Sequence, residues 1–184
     1  MKRTLKALNY LLIAGAMTFA SCGENTNGNN DNADTTAMGN DMASNEDQDF
    51  VKDATELNTK ELAWLKAGMN MGTDQELKQH AEHMLADHEK TGADMKDLAG
   101  RKGLEVPTVD TAGEVNIDDK DKGKDWDRKW ADKMVDDHEK TINRFERAEN
   151  DVQDADLKAM ISKTLPTLRS HLDMAKKLKE RLDK

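Results

Sequence analysis

From Phe50 onward, large apolar side chains recur every three or four residues, and this α-helical period is the strongest constraint the sequence carries. It divides into four stretches. The first, about 49–71, carries Phe50, Ala54, Leu57, Trp64, Leu65 and Gly68 and stops at Gly72. Thr73 and Glu76 have capping-box spacing, so the second starts at about 74. Its stripe is Leu77, Ala81, Met84, Met95 and Leu98, with Arg101, Lys102 and Gly100 or Gly103 suited to its end. The third, about 124–151, carries Trp126, Trp130, Met134, Ile142 and Phe145, with Val152 just beyond. Asp151 or Asp154 is placed to cap the fourth, about 154–183, whose stripe runs from Leu157 through Ile161, Leu165, Leu168, Leu172, Ala175 and Leu178 to Leu182. Pro166 lacks a backbone donor and should kink that helix locally.

Four amphipathic helices of similar length must bury their stripes on one another. The predicted fold is therefore all-α, an antiparallel four-helix bundle over residues 49–184. The connection 103–123 is long enough to run the length of the bundle, which leaves both a crossover and an up-down-up-down order open. Composition agrees, with 35% charged residues, 4% aromatics and two prolines. The formal net charge of −9, with no basic stripe, argues against a nucleic-acid partner, because that affinity comes from neutralising phosphates.

Lys2, Arg3 and Lys6 precede an uncharged, mostly apolar run over 7–20. That run is too short to span a ~30 Å hydrocarbon core as a helix and suits the apolar region of a signal peptide. Phe19-Ala20-Ser21-Cys22 follows, with the chain's single cysteine. The segment resembles the bacterial lipoprotein box, which implies a signal peptide over 1–21 and lipidation of Cys22. Cleavage there takes away three bases and no acid, leaving a net charge of −12. Residues 23–48 hold seven Asn, four Asp, two Glu and no Lys or Arg. Such a stretch buries too little to offset chain entropy, so 22–48 reads as a disordered tether behind a lipid anchor.

Each apolar stripe is interrupted by one polar residue. Glu61 lies four after Leu57, His88 four after Met84, His138 four after Met134 and His171 three after Leu168. That spacing places each on its helix's apolar face. All four also fall near mid-helix, and the midpoints of four equal helices share one level whatever their directions. Glu61, His88, His138 and His171 are thus expected to converge in the middle of the bundle. Left unpaired there, they would cost several kcal/mol. One carboxylate and three imidazoles can hold a single transition-metal ion, Zn, Fe, Mn or Cu. The alternative is a hydrogen-bonded polar layer that fixes helix register. Met84-Leu85-Ala86-Asp87-His88-Glu89-Lys90-Thr91 matches Met134-Val135-Asp136-Asp137-His138-Glu139-Lys140-Thr141 at six of eight positions. Asp87 and Asp137 are therefore candidates for groups that hold the imidazoles from behind.

The Met-x-x-Asp-His repeat, the segment Thr164-Leu165-Pro166-Thr167-Leu168-Arg169 leading to His171, and the lipoprotein-like start together resemble a bacterial envelope family, the domain of unknown function numbered 4142. The likeness runs from about Asp49 to Leu178, with Trp126-Asp127 and Trp130 where that family tends to have Phe-Asp and Tyr. It implies a ferritin-like bundle, hence the crossover, and a place in the cell envelope at the outer membrane or its periplasmic face. It implies no reaction.

No glutamate is followed three residues later by a histidine, so the Glu-x-x-His pair of di-iron bundles is absent. The sequence also lacks a Ser-His-Asp order, a Gly-rich phosphate loop and a paired Cys-x-x-Cys. An enzyme is therefore not the expectation. His80 and His83, with Glu76 and Asp87 four residues from one or the other, form a weaker surface candidate for a divalent ion. The eleven methionines read as core filler. Two functions stay open: an envelope lipoprotein that binds a transition metal through its mid-bundle layer, or a non-catalytic structural or stress-related interaction module.

Overall fold

The computed structural model describes residues 43–116 and 122–184. The expected signal peptide, Cys22 and the expected tether up to residue 42 lie outside them. Four helices make up the domain: α1 (Asn45–Met71), α2 (Gln75–Lys102), α3 (Lys124–Asp151) and α4 (Ala155–Leu182). No described helix is long and apolar enough to cross a membrane.

Helix α1 starts four residues before the expected position. Ser44 and Asp47 close a capping box, with Ser44 Oγ accepting from Asp47 N at 3.1 Å and Ser44 N donating to Asp47 Oδ2 at 2.9 Å. Gln48, also assigned to the tether by composition, exchanges two hydrogen bonds with the backbone of Glu105, each 2.8 Å. At α2 the expected capping box of Thr73 and Glu76 does not form. Asp74 is the N-cap, accepting from Leu77 N, because the Thr73 hydroxyl and amide are both held by Asp127 of α3. Gly103 closes α2 in the left-handed region at φ 67°, and Leu104 N returns to Ala99 O as the buried Leu104 enters the core. Asp154 caps α4, which continues unbroken through Pro166.

The connectivity follows from what meets at each end. Asp47, at the start of α1, accepts from the backbone amides of Gln153 and Asp154 between α3 and α4. Asp127, at the start of α3, accepts from those of Thr73 and Asp74 between α1 and α2. Lys102, at the end of α2, pairs with Asp154 and Asp156 at the start of α4. Hence α1 and α4 run one way and α2 and α3 the other. The connection after α2 begins at one end and reaches the other, where Glu114 meets Trp64. Of the two orders open from the sequence, the crossover is the one formed. Helix α1 packs on α2 and α3, and α4 on α3 and α2.

The core has two apolar halves. Phe50, Phe145, Leu157 and Ile161 lie in one, and Trp64, Leu77, Trp126 and Trp130 in the other. In the second half α1 and α3 approach closely at Gly68, where a Cβ would sit 2.4 Å from Trp130 Nε1. That indole N–H donates to Trp64 O at 2.8 Å, and the rings of Trp64 and Trp126 stack at 5.7 Å. Among the described residues, the buried polar side chains are Asp47 and Asp127 at the two ends and Glu61, His88, His138 and His171 between the halves. The end pair carries the turns. The middle four form the layer expected from their mid-helix positions.

Candidate metal centre

Each of the three histidines is held by one ring nitrogen. His88 Nδ1 meets Asn58 Oδ1 on α1 at 3.0 Å. His138 Nδ1 meets the carbonyl of Met134, one turn back on its own helix, at 2.8 Å. His171 Nε2 meets Asp87 Oδ2 on α2 at 3.0 Å. All three partners are oxygen acceptors, so each of those nitrogens carries the proton and the opposite nitrogen carries a lone pair. The opposite nitrogens are His88 Nε2, His138 Nε2 and His171 Nδ1, and each is buried without a hydrogen-bond partner among the described residues.

The rings also meet. Their centroids are 5.4–5.7 Å apart, and one nitrogen from each lies within 4.8 Å of the others. One nitrogen held on an oxygen acceptor and the other left free is the arrangement in which metal-ligating histidines are oriented. Tetrahedral coordination at ~2.1 Å needs ligand nitrogens about 3.4 Å apart. Burial holds all three imidazoles neutral. It lowers His88 to about 3, helped by the neighbouring rings of His138 and His171. It lowers His138 to about 4 even though the Met134 carbonyl favours the proton, and it lowers His171 against the pull of Asp87. Neutral imidazole is the form that binds a metal.

Glu61 belongs to the layer but not to the group that meets within 4.8 Å. Its Oε1 lies 3.6 Å from His138 Nδ1, the nitrogen already committed to Met134, and has no hydrogen-bond partner. Burial raises its pKa well above the usual carboxylate range, and the charge of Asp137 adds to this. Burial thus favours its neutral form beside the histidines. Asp137 is itself paired with Lys133, at 2.7 Å. The two repeated aspartates therefore both reach across to the polar residue of an adjacent helix, Asp87 to His171 and Asp137 to Glu61. Only Asp87 holds an imidazole. His80 stays with Glu76 at 3.8 Å and His83 with Asp87 at 3.7 Å.

Sequence reading missed Asn58 and Gly92. Asn58 sits one residue beyond the predicted stripe of α1, and nothing local marks it as the partner of His88. At Gly92 a Cβ would lie 2.6 Å from the Asn58 amide, so the glycine makes room for the group that holds His88. A cavity of about 500 Å³ opens beside the layer, lined in part by Asn58, Glu61, His88, His171 and, from the connection, Val106 and Pro107.

The family described as "Domain of unknown function (DUF4142)" matches residues 32–178. The chain belongs to that family. Among solved structures, this DUF4142 domain is similar to "Crystal structure of DUF305 fragment from Deinococcus radiodurans", with a TM-score of 0.64 and 11% identity over 76% of this chain and 98% of that one. At that identity the likeness concerns the fold alone. No curated protein of established function matches the DUF4142 chain.

Proposed function

We propose that the domain is a transition-metal-binding module held at the bacterial cell envelope by a lipid anchor on Cys22. The metal part is carried by one observation: three buried imidazoles each have one nitrogen fixed on an oxygen acceptor and the other left without a partner. A layer built only to set helix register would satisfy those nitrogens, because a buried polar group without a partner costs about 1–3 kcal/mol. His88, His138 and His171 supply the ligands. Three neutral imidazoles suit zinc, copper or iron better than harder ions such as magnesium. Glu61 is buried beside them, where a bound positive ion would favour its ionised form, and the cavity adjoins His88 and His171.

The full chain, purified without a histidine tag, is expected to hold close to one equivalent of transition metal by elemental mass spectrometry. After chelation it should take up Co²⁺ with visible ligand-field bands. His138→Ala should remove those bands. A chain that is metal-free as isolated and gives no Co²⁺ bands would overturn the metal centre.

The anchor is supported by the basic start, the short apolar run and the small residues before Cys22. Acyl chains on that cysteine would bury many CH₂ groups at about 0.8 kcal/mol each, enough to hold an acidic protein that anionic lipid would repel. Cys22→Ser is expected to move the protein from the membrane fraction to the soluble fraction, and full retention in the membrane fraction would rule the anchor out.

A further inference from the structure

His171 is the one member of the triad that faces two ways. Its Nδ1 is buried without a partner and its ring lies 5.4 Å from those of His88 and His138, while its Nε2 is bonded to Asp87 Oδ2 at 3.0 Å. The same Asp87 oxygen lies 3.7 Å from Nε2 of His83. The rings of His83 and His171 stand edge to face with centroids 6.0 Å apart. One ligand atom each from His83, Asp87 and His171 falls within 4.8 Å of the others, as in the buried triad. Exposure is graded along this line: the His83 side chain is 61% exposed, Asp87 38% and His171 1%. His83 and Asp87 are one turn apart on α2, so the helix itself sets their spacing, and His171 reaches them from the adjacent α4.

From this we infer that His83, Asp87 and His171 form a second divalent-cation site, open to solvent, that shares the His171 imidazole with the buried triad. The inference rests on the metal-binding reading of that triad. The outer donors are two imidazoles and one carboxylate, a set that suits zinc or copper. An ion bound there takes the position of the proton between His171 Nε2 and Asp87. That proton leaves to solvent, Asp87 turns from hydrogen-bond acceptor to ligand, and the imidazole bridges the two ions. Solvent and further small ligands can complete the outer shell because His83 lies on the surface.

The test is a metal titration of the chelated full chain, compared with His83→Ala and His138→Ala. His83 is exposed, so its removal should leave the fold intact, which circular dichroism checks. The wild-type chain is expected to bind two equivalents of Zn²⁺ and each variant one, with the Co²⁺ bands of the buried site kept in His83→Ala. With Cu²⁺ at both sites, the paramagnetic resonance signal should fall below twice that of the singly loaded His83→Ala, through coupling across the shared imidazole. One equivalent in both wild type and His83→Ala, or two in both, would overturn the outer site while leaving the buried centre standing. No binding by the wild type would overturn both.

Discussion

The metal-free protein is expected to lose about 10 °C of melting temperature between pH 7 and pH 4.5. Burial is the cause. In the unfolded chain His88 and His138 take up protons around pH 6.5, but in the fold they resist them down to about 3 and about 4. Between those limits the unfolded state binds more protons than the folded state. Stability therefore falls as the pH is lowered, by about 1.4 kcal/mol per pH unit for each such histidine. His171 is shifted in the same direction and adds to the loss. Glu61 opposes it. Its raised pKa means that the folded state holds a proton the unfolded state has released, so its contribution is present at low pH and lost as the pH rises above 4.5. Three histidines outweigh one carboxyl, and the net slope keeps the sign set by the imidazoles. Melting curves followed by circular dichroism at half-unit pH steps measure it directly. A flat profile from pH 7 to 4.5 would mean that the histidines take up protons without disturbing the fold. Saturating Zn²⁺ should steepen the slope, since protons then compete with the ion as well.

What was legible in the sequence divides along a physical line. Helix spacing and mid-helix level are local properties. They were enough to place Glu61, His88, His138 and His171 in one layer without knowing the order of the helices. The start of α1 was equally local, in the Ser44-x-x-Asp47 pattern ahead of Phe50, but an Asn/Asp-rich composition masked it. By contrast, Thr73 has capping-box spacing and still does not cap α2, because Asp127 from a distant part of the chain takes its hydroxyl. The same distinction governs the site. His88 and His138 sit in nearly identical octets, yet one is held by Asn58 across the helix interface and the other by its own helix. Which nitrogen each ring presents depends on those partners, and no spacing within a single helix encodes it. Glu61 shows the limit from the other side. It is buried at the expected level, but burial and then the charge of Asp137 favour its protonated form beside His138, outside the group of three rings.

Replacing His138 by leucine should separate a metal centre from a structural layer more sharply than truncation to alanine, because the two roles predict opposite signs. His138→Leu keeps a side chain of similar size, so the loss of a large cavity does not obscure the result. It leaves no partner stranded. The Met134 carbonyl keeps its helical bond to the backbone amide of residue 138, and Glu61 Oε1, at 3.6 Å, is too far from the ring to lose a hydrogen bond. The change removes one buried nitrogen without a partner, a group that costs about 1–3 kcal/mol where it stands. It also joins the Trp130 half of the core to the Phe145 half with an apolar side chain. The metal-free variant is therefore expected to melt about 5 °C above the metal-free wild type. In saturating Zn²⁺ the order should reverse. A ligand at a thousandfold excess over its dissociation constant contributes about 4 kcal/mol, which the wild type gains at its buried centre and the variant does not. A variant that is less stable than wild type by the same margin with and without metal would mean that the three histidines hold the bundle together rather than an ion.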